Sequence, residues 1–171
     1  VDNNYLNFIN EWRERLAQDI IARPDANPWV FDESSNIKLA TLRSVVQRFL
    51  DRLVVIRFAE DHLVIPPGTL QNIYETRQSN PYTFTMDEFL DRFFRQFDEK
   101  HNSALFAKDL TDDASFSDDA LMPLIAKLYE ARYRSMPADI IGNTYEQYLG
   151  KALVLEHGSI ATRDNLETRK K

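Results

Sequence analysis

The sixteen residues 47–62, QRFLDRLVVIRFAEDH, constrain this chain more than any other stretch. Around them, apolar side chains fall at Leu42, Val45, Val46, Phe49, Leu50, Leu53, Val54 and Ile56. Intervals of three and four residues put all of these on one broad face of a helix. The spacing predicts a long amphipathic helix that starts near Ser35 and ends by Ile65, where Pro66-Pro67-Gly68 forbids continuation. Apolar area left in water costs about 25 cal/mol per Å2. A face this wide therefore has to be covered, and the remaining segments are read as its cover.

Those segments are themselves helical in pattern. Tyr5, Phe8, Ile9, Trp12, Leu16 and Ile20 share helical spacing until Pro24 stops it. Residues Pro24 to Glu33 read as a loop, with Trp29, Val30 and Phe31 folding back onto the core. A short helix is expected over Leu70 to Arg77, then a turn over Ser79 to Phe84. Thr85 with Glu88 three residues on is a capping-box pattern, and the helix it opens carries Phe89, Leu90, Phe93, Phe94 and Phe97. Asn102 to Phe106 packs down again, and Asp109 to Asp119 reads as an acidic loop. Leu121, Ile125, Leu128 and Tyr129 mark a further helix that tolerates Pro123 only in its first turn. Pro137 suits the start of a last helix through Ile140, Ile141, Tyr145, Tyr148, Leu149 and Leu153. Beyond it, Gly158 suits a hairpin turn. The expected fold is all-α: a single irregular multi-helix domain, 1–153, built around one long central helix. A tail, 154–171, follows, with room for a small β-hairpin.

With 171 residues, the chain is long enough for a sizeable core. No apolar run reaches the ~20 residues that span a bilayer, so no membrane role is expected. Cysteine is absent, which excludes disulfides and thiolate metal sites and fits a reducing cytoplasm. The net charge of −6 argues against strong autonomous DNA binding, which usually needs a basic surface, and leaves room for local basic patches. Four glycines give a glycine-rich nucleotide fold little to work with. The chain opens at Val1 without an initiator Met and closes on Arg169-Lys170-Lys171, and is expected to be part of a longer protein.

Several groups of residues suggest chemistry, each beside a plainer reading. Asn80-Pro81-Tyr82 resembles the Asn-Pro-Pro-Tyr signature of amino-group methyltransferases. It lacks the second proline and a glycine-rich loop upstream, and reads as a turn. Pro24-Asp25 with Asp98-Glu99-Lys100 superficially matches a metal-dependent nuclease pattern, yet the second group ends a helix. Glu60-Asp61-His62 are successive helix residues that point in different directions, so they do not converge on one metal. Arg57 with Asp61, and Arg48 with Asp51, read as helix-face ion pairs worth a few tenths of a kcal/mol when exposed. His62, His101 and His157 show no ligand spacing. The Phe89, Phe93, Phe94, Phe97 series has helical spacing and reads as core packing rather than a base-stacking platform. Arg163, Arg169, Lys170 and Lys171 form a basic tail, a candidate phosphate contact. No catalytic, cofactor or metal residue is assigned.

Two stretches resemble a known family. Leu50-Asp51-Arg52-Leu53-Val54-Val55-Ile56-Arg57-Phe58-Ala59-Glu60-Asp61 resembles a leader helix found ahead of the catalytic domain in large restriction–modification proteins. Ile141-Gly142-Asn143-Thr144-Tyr145-Glu146-Gln147-Tyr148-Leu149-Gly150-Lys151 resembles the second hallmark, a G-x-x-Y-E-x-x-L-G helix. Phe97-Asp98 and Asn102-Ser103-Ala104-Leu105-Phe106 fit between them in order. The family is the type IIG restriction–modification enzymes and related DNA adenine-N6 methyltransferases. The resemblance implies a non-catalytic helical connector that positions the methyltransferase domain, and a nuclease where one exists, around DNA. It places S-adenosylmethionine, and Mg2+ for a nuclease, in those other domains, which are the expected partners. Under it, Tyr145, Glu146, Tyr148, Gly150 and Lys151 are expected to dock on the catalytic domain. The competing reading is a free-standing helical protein-interaction module unrelated to DNA.

Overall fold

The computed structural model describes residues 3–130 and 151–164. Among them are five α-helices and one antiparallel hairpin: α1 (Asn3–Ile21), α2 (Leu39–Asp61), α3 (Thr69–Ser79), α4 (Met86–His101), α5 (Asp118–Leu128), β1 (Lys151–Glu156) and β2 (Ser159–Asp164). The fold is mostly helical with a small hairpin near the C-terminus, as the patterning predicts. No helix among the described residues is long and apolar enough to cross a membrane. The chain groups into two compact units, Val1–Gln47 with Met136–Lys171, and Arg48–Ser135. The central helix α2 contributes its first turns to one and the rest to the other.

All eight residues of the predicted apolar face of α2 are buried. The helix begins at Leu39 rather than near Ser35, because the preceding loop is closed by its own polar groups. The Asp32 carboxylate accepts the backbone N–H of Ser34 at 2.9 Å and of Asn36 at 2.8 Å. That turn holds Ser35 at a φ of 64°, outside the helical region. At the other end, the helix stops before the prolines act. Leu63 takes a φ of 61°, and the N–H of Val64 returns to the carbonyl of Ala59 at 2.8 Å, a Schellman-type closure.

In the first unit, α1 buries Ile9, Trp12, Leu16, Ala17 and Ile20. Its C-terminal carbonyls are met by Asn27, whose fully buried amide donates to the carbonyls of Ile20 at 3.5 Å and Arg23 at 3.3 Å. Of the three loop residues expected to fold inward, Val30 is buried, while Trp29 and Phe31 are half-buried. The hairpin pairs Lys151 with Asp164 through Glu156 with Ser159. His157 and Gly158 both have positive φ, 51° and 78°, the geometry that a two-residue hairpin turn of matching twist requires. Leu153 therefore lies in a strand, not in the last predicted helix: Lys151–Glu156 pairs residue by residue with a second strand. The Gln18 side chain of α1 donates to the carbonyl of Ile160 at 3.1 Å, and Ile160 itself is buried.

In the second unit, α4 opens on the predicted capping box. Thr85 accepts the N–H of Glu88, and Glu88 accepts that of Thr85. Its face buries Met86, Leu90 and Phe94. Phe49 of α2 meets Phe94 edge-on at 5.9 Å and Phe116 at 4.3 Å. The stretch expected as an acidic loop has two capped pieces. Leu110–Asp113 is a 3-10 turn capped by Asp109, and α5 begins at Asp118 behind Ser117. Pro123 consequently falls in the second turn of α5, not the first. It is tolerated because the site is exposed, and Asp119, whose carbonyl loses its helical donor, is exposed too.

Candidate functional site

The charged residues of the leader-like stretch do not lie on a solvated helix face. Arg52 and Arg57 sit five positions apart, about 140° around the helix at 3.6 residues per turn, and both are buried. Arg57 lies within the apolar face and Arg52 at its edge, and each reaches across to a different neighbouring segment.

Arg52 is fully buried. Its Nε donates to the carbonyl of Leu105 at 2.8 Å, and Nη2 to that of Ala107 at 3.1 Å. Nη1 donates to Asp112 at 3.3 Å, and Nη2 lies 3.6 Å from the Asp109 carboxylate. Its carbon lies 5.3 Å from the Phe94 ring centroid and 5.8 Å from that of Phe106. The guanidinium thus ties down the two carbonyls that flank Phe106, itself fully buried. Arg48 and Arg95 reinforce the same segment. Arg48 donates to the carbonyl of Ala104 and pairs with Asp109 at 2.9 Å. Arg95 donates to the carbonyl of Phe106 and pairs with Asp112 at 3.0 Å. The expected pairing of Arg48 with Asp51 gives way to Asp109, because Arg48 reaches over to the 104–109 segment. Asp91 of α4 faces this cluster. Burial, then the charges of Asp87 and Asp112, push its carboxyl up to about 8, against the pull of Arg52 and Arg95.

Arg57 forms the second cluster. It makes the predicted pair with Asp61, at 3.0 and 3.2 Å, but in a buried setting. Its Nε donates to the carbonyl of Leu128 at 3.1 Å, and its carbon lies 4.3 Å from the Tyr129 ring centroid. The Tyr129 hydroxyl donates to buried Glu60, with carboxylate oxygens at 2.8 and 2.9 Å, and accepts the N–H of Gln71 at 2.8 Å. That N–H belongs to the first turn of α3, whose N-cap Gly68 offers no side chain. Burial, then the bond to Glu60, raise the phenol well above its ordinary range. One tyrosine thereby joins α2, the end of α5 and the start of α3.

Most of the polar groups in these clusters meet a backbone carbonyl, a backbone N–H or an opposite charge, while the buried Nε of Arg95 has no hydrogen-bond partner among the described residues. The arrangement braces three segments and presents no exposed nucleophile beside a base. Among the described residues, no group of three or more His, Asp or Glu side chains is placed to hold a metal ion. Asn80-Pro81-Tyr82 is an exposed turn. The Phe series of α4 is aromatic core at Phe94, with Phe97 tilted against Phe106 at 4.3 Å between centroids. Arg163 lies on β2 and pairs with Glu156 at 2.5 Å, so this predicted phosphate contact already has a carboxylate. Lys151 opens β1. Tyr145, Glu146, Tyr148, Gly150, Arg169, Lys170 and Lys171 lie outside the described residues.

Patterning missed Tyr129 and the burial of Glu60 and Arg52. A signal for Arg52 was present: it stands between Leu50 and Leu53, at the edge of the apolar face. For Tyr129 there was none, since its partners are 58 and 69 residues away. The chain matches no known family model, no curated protein and no solved structure.

Proposed function

We propose that this chain is a non-catalytic helical connector of a restriction–modification DNA adenine-N6 methyltransferase. In this reading it holds the catalytic domains of the parent protein in place around DNA. S-adenosylmethionine binds in the methyltransferase domain, and Mg2+ in a nuclease where one is present. The reading rests on the two stretches, 50–61 and 141–151, that resemble the family's hallmarks. The observation that carries it is the use made of the charges in the first stretch. Arg52, Arg57 and Glu60 face inward and are satisfied by carbonyls, a carboxylate and a phenol within one unit. Such a stretch specifies how helices are held, and a rigid brace is what a domain-positioning segment needs.

The test is to read the coding sequence downstream of Lys171. A Gly-x-Tyr-Tyr-Thr-Pro-like motif within a few codons, followed by Asn-Pro-Pro-Tyr, is expected. A stop codon directly after Lys171 would instead favour a free-standing interaction module. In the full protein, reversing the charge of Glu146 is expected to lower methylation by loosening domain docking. Unchanged activity and stability would remove Tyr145–Lys151 as the docking surface.

A further inference from the structure

The turn between α3 and α4 has a feature that packing does not explain. Tyr82 at its tip is completely exposed, and Phe84 is 40% exposed. Large aromatic rings are normally buried, and one held wholly in water gains the fold nothing. Yet the turn is firmly built. Arg77 donates from Nη1 to the carbonyls of Pro81 at 3.0 Å and Phe84 at 3.2 Å, so it bridges the turn from side to side. The same guanidinium is anchored by Asp118, at 2.7 Å from Nε. Thr83 donates to the carbonyl of Asn80 at 2.7 Å. The turn is therefore set before any partner arrives, which lowers the entropic cost of binding.

The charges around the tip are committed, with one exception. Asp118 is held by Arg77 and also accepts the N–H of Met86 at 2.9 Å. Glu88 is occupied by the capping box. Asp87 is buried and accepts the N–H of Phe116. Arg92 is exposed, lies with its guanidinium carbon 4.2 Å from the Phe84 ring centroid, and meets no carboxylate among the described residues. The tip thus offers the fully exposed ring of Tyr82 and the partly exposed ring of Phe84, which packs against Phe89 at 5.6 Å in a T-shaped pair, beside a cation that meets no carboxylate among the described residues.

We propose that the Tyr82–Phe84–Arg92 tip binds single-stranded nucleic acid, its rings stacking on bases and Arg92 meeting a phosphate. Planar bases with an anionic backbone match rings plus one guanidinium, and stacking is indifferent to sequence. Duplex DNA hides its base faces, so it gains only the phosphate contact. With one cation in a chain of net charge −6, binding is weak, with a Kd of about 100 µM at the loose end of non-specific binding. This inference is independent of the connector reading, and either can fail alone.

The experiment is fluorescence anisotropy of a labelled oligothymidylate of about ten nucleotides, titrated with the full chain at low salt. Saturable binding is expected, and an oligouridylate arm shows whether the sugar matters. Tyr82→Ala should weaken it at least about fivefold, and Tyr82→Phe should restore it. Tyr82 is fully exposed, so neither change should alter the melting temperature. A fourfold rise in salt should weaken wild-type binding by about 2.6-fold, the expectation for one phosphate contact, and Arg92→Gln should abolish that dependence. No binding up to about 1 mM protein, or equal binding by Tyr82→Ala, would overturn the proposal. Tighter binding of an acidic, aromatic peptide than of the oligonucleotide would overturn it in favour of a protein partner.

Discussion

A guanidinium cut off from water is tolerated only when each of its N–H groups has an acceptor. Arg52 has an acceptor at each of its three nitrogens, through Leu105, Ala107 and Asp112. Removing it strands two carbonyls and leaves Asp112, whose side chain is 7% exposed, without its buried partner. Arg52→Ala is therefore expected to cost about 3–5 kcal/mol, measured by urea denaturation. Arg52→Lys should recover little, because an ammonium cannot span the same fork of acceptors. Arg15→Ala, which breaks an ion pair 54% exposed on both sides, should change stability by less than about 0.5 kcal/mol. Leu63 offers the opposite case. It takes the left-handed conformation that suits glycine and is 70% exposed, so its side chain returns little for the strain. Leu63→Gly should stabilise the chain by up to about 1 kcal/mol, and a loss would show that Leu63 packs usefully. Asp91 supplies a pH dependence. Between its ordinary value of 3.8 and about 8, the folded chain holds a proton that the unfolded chain releases. Its contribution to stability therefore falls as pH rises through that window. The stability of Asp91→Asn relative to wild type should grow from acid pH to about 8 and then level off. A difference that is flat with pH would mean that Asp91 is ionised throughout.

Among the elements, what was readable in the sequence followed from local periodicity and local caps. The α2 face, from Leu42 to Ile56, needed only the recurrence of apolar residues, and the start of α4 needed only Thr85 and Glu88. Thr85→Ala should cost about 1 kcal/mol by urea denaturation, since the N–H of Glu88 loses its hydroxyl acceptor. The start of α2 was misread because Asp32 binds the N–H groups of Ser34 and Asn36, an alternative to helix that periodicity does not register. The hairpin was half-legible. Gly158 marked the turn, but Leu153 and its neighbours also fitted a helical pattern, and only pairing with 159–164 settles them as strand. The start of α3 was legible to within a residue, Leu70 against Thr69, but its cap was not. Its cap comes from Tyr129, far along the chain.

At the scale of the whole molecule, the candidate site is a set of long-range polar contacts, and this class of interaction is the least visible in sequence. Arg52 and Arg57 could be seen as oddities within an apolar run, but their long-range acceptors at 105–112 and 128 lie 53 to 71 residues on. Their satisfied burial fits a part whose task is to hold shape. S-adenosylmethionine added to this chain alone is accordingly expected to leave the melting temperature unchanged, because a ligand that binds the folded state would raise it by mass action. The central claim, that the chain is the connector of an adenine-N6 methyltransferase, is tested most directly in the complete protein. The measurement is N6-methyladenine formed on unmethylated DNA by the product of the entire open reading frame in the presence of S-adenosylmethionine. Methylated adenine is the predicted result. A complete, folded product that transfers no methyl group to adenine would contradict it.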